Sequence, residues 1–438
     1  MDDQVIIVGG GLAGLTCACA LARAGRPVRL LDAGAELGGR AATTEHGRYL
    51  LNRGAHALYP SSERLLSAVG VEVSGQHPRP AAGMVLRAGE LLRAPFDPRA
   101  LLGPGLLSPG ERMRFVRTLA VAGTGRPERL AGADAASWVA DRASTPALAD
   151  LLGGLLRLSS YCGELSALPA EIGVGTFREA LRKPVRYVDG GWRQIVDALS
   201  AAARGAGAEI HSSARIGKLL VEEGIAGVRL TDGREHRAHT VVLAGLSPAR
   251  AGRMLGEAGG GLPTEVAEPR PVRAACLDIA LSELPRPECP FVLGLDEPLY
   301  LSVHSRWSRL APAGGAVVQL LRYDDGGEMG GDATLERLES LLDQAQAGWR
   351  ERIVARRFAP RMTVVHHLPA PGAGLAARPR VDDTSLPGAF LAGDWVGPQG
   401  WLAGASLNSA MAAAEAVQRT ARAGRPHRPG LSATVRAG

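Results

Sequence analysis

Three groups of residues in this 438-residue chain have types and spacing suited to chemistry. In the first, Gly9-x-Gly11-x-x-Gly14 follows the apolar run Val5-Ile6-Ile7-Val8, and Asp32 closes a second run, Pro27-Val28-Arg29-Leu30-Leu31. Glycines so spaced between a strand and a helix permit a tight turn, admit a pyrophosphate against the backbone and let helix and strand pack closely. Phosphate then meets the free N–H groups where the helix starts, at Leu12 and Ala13, while a carboxylate at Asp32 can accept from ribose hydroxyls. The second group is Gly38-Gly39-Arg40, whose backbone and guanidinium can reach the same diphosphate. The third lies in GDWVGPQGWLAG, residues 393–404: Gly393-Asp394, then Gly400-Trp401-Leu402 directly before a small-residue helix, in a chain only 4% aromatic. A helix N-terminus there can stabilise negative charge developing on a bound ring. Asp32 by itself suits a nicotinamide dinucleotide as well as a flavin one.

The elements that must carry these groups can be read in outline. A strand, glycine turn and helix fill residues 5–25, so the uncharged stretch 5–22 is expected to be a buried strand and helix rather than a membrane span. Past Leu50 the pattern changes to loops and amphipathic helices, at 111–121 and 147–165, and Gly190-Gly191 opens a helix through residue 207. Short strands with an Asp232-Gly233 hairpin follow, then another strand-rich stretch from Val272, and residues 334–357 read as one or two helices. A second fingerprint, Gly372-x-Gly374-x-x-Ala377, is hemmed in by Pro369, Pro371 and Pro379, which spoil both strand and helix. One dinucleotide site is therefore expected.

Bulk properties exclude several classes. The chain is 46% hydrophobic and 21% charged, as in an ordinary globular protein. Its 50 basic residues against 44 acidic ones are nearly all arginine, Lys183 and Lys218 being the two lysines. The densest cluster, Arg350, Arg352, Arg356, Arg357 and Arg361, lacks interleaved aromatics, so nucleic acid is not expected as a partner, while a peripheral contact with a membrane surface stays open. The five cysteines show neither disulfide nor metal-ligand spacing, and the opening MDDQ carries no secretory leader; a reduced, cytoplasmic setting is expected, with no metal.

With GxGxxG, an acid and then GGR in this order, the sequence resembles the superfamily of FAD-dependent amine oxidases and phytoene-type desaturases. The resemblance implies an α/β fold in which a Rossmann-type FAD-binding domain (1–60, 186–270, 385–421) interleaves with an α+β substrate-binding domain (61–185, 271–384), ahead of a loose tail at 422–438. It implies FAD, held without a covalent link and extended along the first domain. Gly54, Ala55 and His56 would lie along the isoalloxazine, where the family commonly has an acid near Arg53. Ile216 would meet the adenine through its backbone, Gly393 and Asp394 would reach the ribityl and phosphate part, and Gly400 and Leu402 would flank Trp401, the aromatic standing against the flavin. His56 and Trp401 are thus the expected catalytic residues, His56 as a base or hydrogen-bond partner. Tyr59, Tyr161, Tyr300 and Tyr323 are further candidate pocket aromatics. Many amine oxidases of the superfamily add a lysine between the adenine strand and the C-terminal motif; here none follows Lys218. That departure favours dehydrogenation of a C–C bond in a small hydrophobic, specialised metabolite, with oxygen or an external acceptor taking the electrons. Amine oxidation, a flavin-containing non-redox isomerase or cyclase, and an NAD-only dehydrogenase are the alternatives.

Overall fold

The computed structural model describes residues 4–79, 83–103, 105–266, 268–327 and 331–423, so most of the tail lies outside the described residues. The β-branched run Val5–Val8 forms the middle of a five-stranded parallel sheet, ordered Ala389–Ala392, Thr240–Ala244, Val5–Val8, Val28–Leu31, Glu209–His211. Such strands are covered on both faces, which explains their near-continuous apolar sequences. Helices Leu12–Arg23, Arg193–Gly205 and Ala403–Ala423 belong to the same fold layer, the first packing against the other two. Residues 5–22 are accordingly strand, turn and helix, and among the described residues no helix is long and apolar enough to cross a membrane. The Asp232-Gly233 hairpin closes a three-stranded antiparallel sheet, Ile216–Val221, Ile225–Leu230 and Glu235–Arg237.

A second, seven-stranded mixed sheet runs in the order Ile353–Val365, Val272–Leu281, Ala316–Tyr323, Leu299–Val303, Phe291–Gly294, Gly83–Arg87, Glu90–Arg93. Three of its strands depart from the sequence reading. Residues 334–357 are not helical throughout: the helix Gly331–Ala345 stops and a strand starts at Ile353, pairing with Val272–Leu281. Gln346 turns its side chain to the carbonyls of Arg286 and Cys289, and Ile353 and Val354 bring β-branched residues that a non-local partner can use. Likewise Gly83–Arg87 and Glu90–Arg93 form a hairpin at the other edge, where only loops and helices were expected. The chain thus alternates between sheets: segments near 5–31, 209–244 and 389–392 build one, and segments near 83–93 and 272–365 build the other.

The hairpin Thr43–His46 and Tyr49–Asn52 touches the second sheet and delivers residues 52–57 between the two. A buried network pins that segment. Gln319 donates to the Gly54 carbonyl (2.9 Å) and to Asp278 (2.9 Å), and Arg357 donates to Asp278 (3.0 Å) and to the Asn52 carbonyl. Asp278 is 1% exposed, so its charge is tolerable only with these donors in place.

Candidate active site

A cleft runs from the glycine turn toward the second sheet. At its first end Gly9, Gly11, Leu12 and Ala13 line it, with Asp32 beside them. Gly9 has φ +108°, and a Cβ there would stand 2.2 Å from the Ala244 carbonyl oxygen, so only glycine fits. Gly14 does not line the cleft; a Cβ on it would meet the Gly9 carbonyl at 1.8 Å, which makes it the helix-to-strand contact. Asp32 accepts from the Gly10 N–H (2.5 Å) and the Gly34 N–H (2.7 Å), fixing the carboxylate at the end of the second strand.

Gly38, Gly39 and Arg40 form the opposite wall, tied to the first turn by Gly38 N–H donating to the Gly10 carbonyl (2.8 Å). Arg40 donates to Asp394 and to the Val364 carbonyl, both at 2.7 Å. Asp394 also accepts from His366, through its backbone N–H (3.0 Å) and its Nδ1 (2.8 Å). Burial by itself would raise the Asp394 pKa, but Arg40 and His366 outweigh it and hold the carboxyl well below the usual range. The two ends of the chain therefore meet in a buried ion pair, with His366 as a third member that the sequence reading missed. Gly393 stands behind it, its N–H donating to Ser409 Oγ (2.9 Å) and not lining the cleft.

Farther in, Ala55, His56, Tyr161, Trp192, Met362 and Leu402 line the cleft, with exposed Arg53 also among the lining residues. Gly54 does not line it; its carbonyl accepts from His56 Nδ1 (2.7 Å). That bond makes Nδ1 the donor and leaves Nε2 with the lone pair. Burial depresses the His56 pKa to about 4; the Gly54 carbonyl opposes the shift, and the charges of Arg40 and Arg357 add to it. His56 is thus a neutral hydrogen-bond acceptor rather than an effective base. We expect no His56 titration in the pH dependence of kcat/KM between about pH 5 and 8. A wild-type inflection near neutrality that disappears in His56→Gln would contradict this.

Three more expected site residues, Trp401, Gly400 and Ile216, lie outside the cleft. Trp401 does not line the cleft: its indole N–H donates to the Ser160 carbonyl (2.8 Å), the ring packs in the core that includes the helices at residues 135–177, and the Arg378 guanidinium carbon lies 5.1 Å from the ring centroid. Leu402 takes the lining position instead. Its φ of +52° turns the chain into the helix Ala403–Ala423, and Ala403 and Ser406 of the first turns also line the cleft. Gly400, outside the cleft, accepts from Arg378 Nη1 (3.0 Å). Ile216 does not line the cleft either; it is buried in the core at the start of its strand, opposite Leu230. Of the four candidate tyrosines only Tyr161 lines the cleft, its hydroxyl donating to the Ala55 carbonyl (3.2 Å).

Trp192 was missed, although its place directly after Gly190-Gly191 in an aromatic-poor chain was a signal. It is 4% exposed, lies 4.5 Å from the His56 ring between centroids, and its indole N–H has no partner among the described residues. A buried donor left open at the wall of a cleft calls for an acceptor on whatever fills it. Together with the glycine cradle and a helix N-terminus at the far end, this fits an extended dinucleotide. Trp192→Phe should therefore weaken FAD binding about tenfold, the worth of one hydrogen bond, with an unchanged melting temperature for the apoprotein. Titrating apoprotein by flavin fluorescence checks it.

A parallel sheet with a glycine turn, an acid ending the second strand and a cleft leading on to a second sheet define a dinucleotide-binding protein. A sequence-family model for flavin-containing amine oxidoreductases matches residues 12–272, and the chain belongs to that family. It is an FAD-dependent oxidoreductase. Solved structures similar to it include an oxidoreductase from Methanosarcina mazei (20% identity, TM-score 0.72, covering 95% of this chain and 100% of that one). Others are cyclohexylamine oxidase from Brevibacterium oxydans (18%, TM-score 0.69, 96% and 100%) and a putrescine oxidase triple mutant (16%, TM-score 0.70, 96% and 99%).

Proposed function

We propose that the protein dehydrogenates a small, uncharged, hydrophobic metabolite across a C–C bond, in the manner of a desaturase. The supporting observation is that, among the described residues, the inner cleft offers a cation no carboxylate beyond Asp394, which Arg40 already holds. Its walls there include Ala55, Leu321, Met362 and Leu402, with His56 kept neutral and the Tyr161 hydroxyl kept protonated by burial. Arg40 and Asp394 compensate each other, and Arg53 is exposed. Neither lysine lines the cleft: Lys183 pairs with Glu63 (3.0 Å), and Lys218 lies on the strand Ile216–Val221. A cationic substrate would give up its hydration without a counter-charge, whereas an apolar one gains by burial.

FAD, when bound, supplies the hydride acceptor and passes the electrons on to oxygen or an external acceptor. Gly9, Gly11, Gly38 and Arg40 would grip its diphosphate, and Asp32 its ribose. The N-terminus of helix Ala403–Ala423 would face the ring end, where its dipole favours negative charge. Ala55, held at its carbonyl by Tyr161, and His56, held to the Gly54 carbonyl that Gln319 also fixes, would form a fixed wall, and the apolar lining would exclude water.

Amine oxidation is the second reading. Tyr161 puts one aromatic ring in the lining, which suits an amine, and the two amine oxidases above share the fold. Anaerobic mixing with candidate substrates tests both. Bleaching of the flavin's visible band by alkenes or alkanes next to conjugated systems supports the first reading, and bleaching by amines alone supports the second. Turnover without bleaching would overturn both in favour of a non-redox role.

A further inference from the structure

The helix Pro109–Thr124 has two apolar faces, and only one is covered. Phe115, Thr118 and Ala122 are buried, and the helix packs against Ala170–Arg182. On the other side stand Met113, Val116, Arg117, Ala120 and Val121, at the i, i+3, i+4, i+7, i+8 spacing of a face built to be covered. Yet Met113 is 72% exposed and Val121 50%, and Leu102, ending the preceding helix Pro98–Leu102, is 79% exposed. With Val116, these are four of the eight exposed large apolar side chains of the described surface, gathered in two consecutive helices. Such clustering marks a contact surface.

The charges around it have one sign to spare. Residues 97–130 hold Arg99, Arg112, Arg114, Arg117, Arg126 and Arg129 against Asp97, Glu111 and Glu128. Asp97 is occupied capping its helix through the N–H groups of Arg99 and Ala100 and accepting from Arg93. Glu111 is occupied with the Ser108 N–H and the Thr145 hydroxyl. Among the described residues, Arg114, Arg117, Arg126 and Arg129 have no carboxylate in ion-pair range. In the denser run at 350–361 four of the five arginines are paired: Arg350 with Asp343 and Glu339, Arg352 with Glu283, Arg356 with Glu339 and Arg357 with Asp278.

We propose that the face formed by Leu102, Met113, Val116 and Val121 docks on an anionic phospholipid bilayer surface. The apolar side chains enter the acyl boundary, and Arg114 and Arg117 reach the lipid phosphates along their apolar stems. A second copy of the chain is the poorer occupant, because pairing this face with itself brings unneutralised arginines together. The site does not depend on what the enzyme oxidises.

Flotation of full-length holoenzyme with two kinds of vesicle tests the proposal: phosphatidylcholine alone, and phosphatidylcholine with phosphatidylserine. Binding is expected only with phosphatidylserine present, and weaker as salt rises. Met113→Asp with Val116→Asp, and separately Arg114→Glu with Arg117→Glu, should each reduce it at least about tenfold. Flavin content and melting temperature should not change, since these side chains are exposed. Absence of vesicle binding, or binding by either double variant as strong as that of the wild type, overturns the proposal. So does a concentration-dependent dimer in sedimentation that the Met113→Asp and Val116→Asp variant abolishes, which would assign the face to a second copy.

Discussion

Replacing Asp394 with asparagine is expected to weaken FAD binding roughly a hundredfold and to cost about 2–4 kcal/mol of folding stability. The carboxylate is 2% exposed and receives Arg40, the His366 N–H and the His366 Nδ1 together. An asparagine amide presents N–H to one of these donors, so a buried donor loses its acceptor and Arg40 is no longer held beside the Gly38-Gly39 turn. Arg40 is itself 36% exposed, so solvent screens part of the Coulomb energy; most of the loss comes from desolvated hydrogen bonds. The pH dependence has a definite sign. A carboxyl whose folded pKa is depressed contributes stability above its unfolded value, about 3.9, and loses it as pH falls below that value toward the folded one. Thermal melts of wild type between about pH 3 and 7 should therefore steepen at the acid end, and those of Asp394→Asn should lack that component. Equal acid sensitivity in the two proteins would exclude Asp394 as its source.

Trp401→Ala should destabilise the protein by about 3–5 kcal/mol while leaving the flavin spectrum and the turnover of the folded fraction near wild type. The indole is 6% exposed, and its removal opens a cavity in the helical core and strands the Ser160 carbonyl. It also uncovers Arg378, a 3% exposed guanidinium whose pKa burial lowers to about 10 and whose Nη1 holds the Gly400 carbonyl. Trp401→Phe keeps most of the packing and should lose only about 1 kcal/mol. Denaturant melts compared with turnover well below both melting points separate the two roles. A Trp401→Ala enzyme of normal stability that failed to turn over would place the ring at the cleft after all.

The contrast between Trp401 and Leu402 shows where reading the sequence reached its limit. That residues 393–402 return to the glycine turn was legible through the resemblance to the flavoprotein superfamily, in which a Gly-Asp step and an aromatic before a small-residue stretch reach the cofactor. Which side chain faces the cleft was not, because Leu402 adopts φ +52° and so rotates its neighbours relative to a regular helix start. Arg40 and Asp394 were legible as a pair of site residues but not as partners, since their contact spans 354 positions. Trp192 sat in a segment recognised as returning to the nucleotide domain, yet only its burial beside His56 and its open N–H mark it as a site residue.

The sequence by itself determined the nucleotide-binding frame. Val5–Val8, the turn at Gly9, the helix from Leu12 and Asp32 interact within some thirty residues, so glycine geometry and apolar periodicity suffice to specify them. Tertiary structure alone decided the rest. It made residues 353–365 and 83–93 the flanks of one sheet, turned Trp401 into core and left the 113–121 face bare. Each of these depends on which distant surface covers a side chain, a quantity that local spacing does not contain.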